Sequence, residues 1–128
     1  MAITLSMNDN DTTTATGQIA ENLAARFLEK HGLTVAARNY RCRGGEIDLV
    51  CRDGAGLVFV EVRLRRSAGF GGAAASITAA KQRRIVLAAQ HYLAAHRKHD
   101  RDCRFDCLLL DGTSERNIEW VKDAFSAD

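Results

Sequence analysis

The chain has 128 residues, 46% of them hydrophobic, and 18 Lys and Arg against 16 Asp and Glu give a formal net charge of +2. That is the length of one domain with enough apolar material to build a core without help from metals or disulfides, and the near-neutral balance does not by itself point to nucleic acid. No stretch approaches the ~20 consecutive apolar residues that cross a bilayer, and the opening MAITLSMNDNDTTTATG has no basic region followed by an apolar run, so the expectation is a cytoplasmic protein with no membrane contact.

Residues 1–14 are polar, rich in Thr and Asn and without periodicity, and are expected to be a disordered tail ahead of a single domain over residues 15–128. From Gly17 onward Ile19, Ala20, Leu23, Ala24, Phe27 and Leu28 recur at helical spacing, with His31-Gly32 as the stop and Glu21 on the flank of the stripe. LTVAARNY then reads as a strand and RCRGG as a turn into EIDLVCR. DGAG separates that run from LVFVEVRL, and the two together predict a β-hairpin. Residues 65–73, RRSAGFGGA, mix charge and glycine and predict a mobile loop. A long helix follows, with Ile77, Ile85, Ala88, Ala89 and Tyr92 as its apolar stripe and an end near His96. RFDCLLL is a strand and NIEWVKDAF a last strand or extended piece. The order α-β-β-β-α-β-β predicts an α/β sandwich around a mixed central sheet.

Cys42, Cys51, Cys103 and Cys107 form no CxxC pair and no zinc-ribbon spacing, so reduced, mostly buried thiols are expected. His31, His91, His96 and His99 form neither HExxH nor HxH, and read as surface or helix-end residues. The charge is unevenly spread. Between Arg63 and Arg104 ten Lys and Arg stand against Asp100 and Asp102 alone, a local balance of +8 between acidic flanks.

The hairpin concentrates the chemistry. If DGAG is the whole loop, Asp48 lies opposite Glu61, Glu46 opposite Arg63 and Val50 opposite Phe59, while Ile47/Val62, Leu49/Val60 and Cys51/Val58 form an apolar face toward the core. Directly opposed side chains have Cβ atoms about 4.5–5.5 Å apart, so two ionised carboxylates there repel unless a cation or a shared proton lies between them. A divalent metal resolves the conflict, since one or two carboxylates plus water and phosphate is the coordination Mg²⁺ prefers. The alternative is a solvated hairpin end in which Glu46 pairs with Arg63, and for an isolated hairpin the two weigh about equally. Lys81, Arg83 and Arg84 fall in the first turns of the second helix, where the helix dipole disfavours cations; with Arg65 and Arg66 they suggest a groove for phosphates, against the plainer reading of a solvated basic face. Tyr40 and Phe70 either stack on bases or simply pack. No base-reading motif is present, so contact by shape and backbone is expected.

GEIDLV, then VFVEVR, behind a helix carrying AEN, resembles the YraN-like family, an uncharacterised bacterial group related to restriction endonucleases and archaeal Holliday-junction resolvases; the likeness runs from about Gly17 to Phe125. The resemblance implies a restriction-endonuclease-like fold and a D…(E/D)xK signature that binds Mg²⁺ or Mn²⁺. Residue by residue, it implies signature acids at Asp48 and Glu61 as metal ligands, a helix acid at Glu21 and the signature lysine's place at Arg63. It further implies DNA as partner and, since related resolvases commonly act as dimers, leaves a homodimer open. The departure at Arg63 matters, because arginine stays protonated and cannot act as a base, although it can offset charge. Two functions follow: a metal-dependent endonuclease acting on DNA, branched or single-stranded, or a DNA-binding module of the same fold weakened or silenced by Arg63. A purely structural protein with surface ion pairs fits the segregated charge least.

Overall fold

The computed structural model describes residues 9–64, 77–98, 101–112 and 115–127, with the side chains of 9–16 excepted. Helix α1 spans Asp9–Lys30, and strands β1 (Thr34–Cys42), β2 (Gly45–Asp53) and β3 (Gly56–Leu64) follow it. Helix α2 (Ala79–Ala95) then leads to β4 (Cys103–Leu110) and β5 (Glu119–Phe125). The sheet order is β1-β2-β3-β4-β5, antiparallel except for the parallel β3/β4 pair. A parallel pair needs a crossover, and α2 lies within it. The α-β-β-β-α-β-β order and mixed sheet read from the sequence are the ones found, and the sandwich is consistent with a restriction-endonuclease-like fold.

α1 starts at Asp9, eight residues before Gly17, so residues 9–14 are helical rather than part of a tail; residues 1–8 lie outside the described residues. Extending an existing helix costs far less than nucleating one, and the chain has no proline to stop it. The helix ends in a Schellman motif: Leu33 N–H donates to the Leu28 carbonyl at 3.0 Å and Gly32 N–H to that of Glu29 at 3.2 Å, with Gly32 at φ +96°. The expected apolar stripe buries Ala20, Leu23, Ala24 and Leu28, but Ile19 is exposed.

Each face of the sheet carries a core. On one, Ala20, Leu23, Ala24 and Leu28 of α1 pack on Leu49, Cys51, Val58, Val60, Leu108 and Leu110. On the other, Ile85, Ala88, Ala89 and Tyr92 of α2 pack with Ile77 on Ile47, Val50, Phe59, Phe105 and Leu109. The reading of the hairpin as having a single core face is thereby corrected: strands covered by helices on both sides are apolar on both. The α2 face closes tightly over Gly45, where an added Cβ would stand 2.5 Å from the Arg84 carbonyl oxygen and 2.9 Å from the Ala88 nitrogen.

Asp106 is fully buried on the α1 side. It accepts from Arg104 Nε (3.0 and 3.1 Å), from Trp120 Nε1 (2.9 Å) and from the Asp123 backbone (2.9 Å), and so fastens β5 to β4 where their register shifts between Phe105 and Cys107.

A carboxylate pair where β2 and β3 part

The β2/β3 ladder follows the expected register from Asp53/Gly56 to Leu49/Val60 and has no further pairs beyond it. There Asp48 takes over the role of a backbone acceptor, its Oδ2 receiving the Val62 N–H at 2.8 Å. Regular alternation also breaks. Ile47 and Val50, three residues apart, both pack on the α2 side, and across the β1/β2 pair so do Ala37 and Tyr40. In an unbroken strand such residues point to opposite faces, so side-chain parity slips once on each strand, at Asp48 and at Asn39 opposite it. Asn39 has φ +51°, a left-handed conformation that Asn tolerates better than most residues. Ile47 consequently belongs to the α2 core and not to the Leu49/Cys51 face expected for it. Irregularities of this kind re-aim side chains and recur beside active sites.

The slip brings acids together. Glu61 is only 4% exposed, and its carboxyl is hydrogen-bonded to that of Asp48. Burial first, and the Asp48 charge second, push Glu61 up from 4.5 to about 8, against the opposing pull of Lys81 and Arg63. At neutral pH and without a cation the pair therefore shares a proton. Glu21, 6% exposed on α1, is likewise raised, by burial and then by Asp48, and accepts from Asn39 Nδ2 at 3.1 Å. Cys107 on the neighbouring strand is held as a thiol at about 12, chiefly by burial and then by Glu61.

Cations close one side. Arg63 Nη1 lies 3.3 Å from Glu61 Oε2, and Lys81 Nζ stands 3.8 Å from both Glu61 Oε2 and Glu46 Oε1. Arg84 Nη2 meets Glu46 Oε1 at 3.0 Å. The expected Glu46–Arg63 pairing is thus replaced: with the ladder ended at Leu49, Glu46 turns to α2 and Arg63 folds back on Glu61. The anion that the basic first turns of α2 call for is supplied in part by Glu46 and Glu61. Arg83 is exposed on the same turn, and Thr78 caps the helix by accepting from the Lys81 N–H at 3.1 Å. Arg65, Arg66 and Phe70 lie outside the described residues.

Among the described residues no three His, Cys, Asp or Glu side chains are grouped closely enough to hold a metal ion. Two carboxylates suffice for Mg²⁺, which keeps several waters and takes phosphate oxygens for the rest of its shell. The donor chemistry of this acid pair suits a hard divalent cation, which Asp48 and Glu61 would be the residues to hold. Glu21 approaches Asp48 without completing a three-ligand group.

Asn39, Arg38 and Arg41 are site neighbours that the sequence reading passed over. An Asn amid the β-forming run of LTVAARNY was the available signal, because it marks a place where a strand leaves regular geometry.

Among the described residues, two helices and a five-stranded mixed sheet make an α/β sandwich consistent with the restriction-endonuclease-like class. The model of the uncharacterised protein family UPF0102 matches residues 20–110, and the chain belongs to that family. It is 67% identical over 119 residues to a UPF0102 protein of Dechloromonas aromatica, covering 93% of this chain and 95% of that one. It is also 58% identical over 111 residues to a UPF0102 protein of Methylobacillus flagellatus (87% and 96% covered) and 56% identical over 109 residues to UPF0102 protein NE0719 of Nitrosomonas europaea (85% and 92% covered). No described helix is long and apolar enough to cross a membrane.

Proposed function

We propose that the protein is a Mg²⁺- or Mn²⁺-dependent endonuclease acting on DNA, with Asp48 and Glu61 as the metal-holding pair. The observation that carries this reading is the burial of Glu61 beside Asp48, a like-charge arrangement that costs stability and is relieved by a divalent cation. A cation held there would polarise a phosphodiester and make a water nucleophilic at neutral pH. The chain's own residues supply the rest. Val62 N–H fixes the Asp48 carboxylate, and Asn39 fixes Glu21 behind it. Arg63 and Lys81 stand beside Glu61, where they can meet non-bridging phosphate oxygens and offset the charge that grows in the transition state. Lys81 contributes a compact amine, a shape that Arg63 lacks.

One observation favours the second reading, a DNA-holding module without cleavage: Arg63 is engaged with Glu61 and, as an arginine, cannot take a proton from water. A nuclease assay on single-stranded, duplex and four-way-junction DNA with Mg²⁺ or Mn²⁺ separates the two. Wild type or Arg63→Lys should cut at least one substrate, and Asp48→Ala none. If Arg63→Lys binds metal and DNA yet cuts nothing, the endonuclease reading falls and the binding module stands.

A further inference from the structure

The parity slip at Asn39 has an effect on the cations of β1. Arg38 and Arg41 are three residues apart and in a regular strand would point to opposite faces. Because Ala37, Tyr40 and Cys42 turn to the α2 side, Arg38 and Arg41 share the α1 side, the side from which Glu21 approaches the carboxylates. Arg38 Nη1 is held there by Asn22 Oδ1 of α1 at 2.7 Å, and Gln18 Nε2 also donates to that oxygen at 3.3 Å. The register sets Arg38 opposite Leu49 and Arg41 opposite Glu46, on either side of Asp48. Both guanidiniums are close enough to oppose the upward shift of Glu21.

We propose that Arg38 and Arg41 form a phosphate-binding wall on the α1 side of the carboxylate pair, facing the wall of Lys81, Arg83 and Arg84 on the α2 side, so that a nucleic-acid strand crosses Asp48 and Glu61 between two cationic walls. Exposed charge on an edge strand also guards against sheet-to-sheet association, but that purpose is served by charges pointing either way and needs no fixed guanidinium. A polyanion approaching buried acids needs positive charge on both sides, since one wall alone leaves the phosphates beyond the scissile bond facing Glu21 and Asp48 uncompensated. The inference rests on the nucleic-acid reading of the site.

Its test reads binding and not cleavage. Fluorescence anisotropy of a labelled single-stranded oligonucleotide and its duplex, in EDTA and across about 50–200 mM salt, gives affinity and the slope of log K against log salt. In Arg38→Gln/Arg41→Gln the slope should shrink by about 1.4 for single strands and about 1.8 for duplex, at about 0.7–0.9 for each phosphate that is no longer neutralised. Affinity should fall about tenfold or more. Arg38→Lys/Arg41→Lys should restore the slope, which a merely structural role for the Asn22 hydrogen bond would not do. Wild-type slope and affinity in the double Gln variant, with Lys81→Gln/Arg83→Gln/Arg84→Gln weakened, would overturn the α1-side wall and leave the nucleic-acid reading standing. Absence of binding by the wild type to either probe would overturn both.

Discussion

Replacing Glu61 by Gln should stabilise the metal-free protein, and only above acid pH. In the folded chain Glu61 titrates near 8 against 4.5 for an exposed carboxyl. At 1.36 kcal/mol per unit this is an ionisation cost of roughly 5 kcal/mol once the group is fully deprotonated. That value is already net of the attraction of Lys81 and Arg63, so burial and Asp48 outweigh both cations and the neutral Gln variant escapes nearly the whole of this cost. The sign follows from the raised value: between 4.5 and about 8 the folded state holds a proton that the unfolded state has released, so this contribution is whole below 4.5 and is lost as pH rises through 8. At about 3–5 °C per kcal/mol for a domain of this size, Glu61→Gln should melt about 15–25 °C above wild type at pH 8.5 in EDTA and should match it, or fall slightly below, at pH 5. Thermal unfolding followed by circular dichroism at four or five pH values is the assay. A wild-type protein whose melting temperature is flat from pH 5 to 8.5, or a variant less stable than wild type throughout, would refute the reasoning.

Asp48 should divide into two roles: Asp48→Asn, which retains an oxygen for the Val62 N–H, should lose metal affinity at little cost in stability, whereas Asp48→Ala should melt lower than Asp48→Asn by about 1 kcal/mol because that donor loses its partner. Gly45→Ala should destabilise by about 2–4 kcal/mol, measured by urea unfolding, since the new methyl meets backbone of α2 at Arg84 and Ala88 and cannot be relieved by a side-chain rotation. Asp106→Asn should cost about 3 kcal/mol in the same assay, because it leaves the Arg104 guanidinium short of its buried carboxylate. Arg63→Lys should raise cleavage above wild type and Arg63→Ala lower it, read on the same three DNA forms.

Much of the architecture was legible because each element carries its own period. The stripe of α2 and the apolar runs of β2 and β3 gave element types and the hairpin register, and the tight two-residue turn fixed that register from Asp53 to Leu49. What alternation could not convey was the parity slip. It occurs where Asn39 and Asp48 stand opposite each other without pairing, and it sends Ile47 to the α2 core; the end of the ladder at Leu49 leaves Glu46 to Lys81 and Arg84, where a regular ladder would have sent it to Arg63. The proximity of Asp48 and Glu61 survived because the slip occurs at Asp48 itself. Arg38 and Arg41 were unreadable as a pair for the same reason: without the left-handed residue between them their spacing puts them on opposite faces.

The most direct test of the account is isothermal titration calorimetry of Mg²⁺ or Mn²⁺ into the wild type and Asp48→Asn at pH 7, repeated in two buffers of different ionisation enthalpy. With Glu61 near 8, a cation bound between it and Asp48 must displace the shared proton. One ion should bind to the wild type with release of close to one proton, and Asp48→Asn should show no binding. A wild type that takes up no divalent ion, or one that binds it with no proton release and equally well in Asp48→Asn, would contradict the assignment of this carboxylate pair as a metal site.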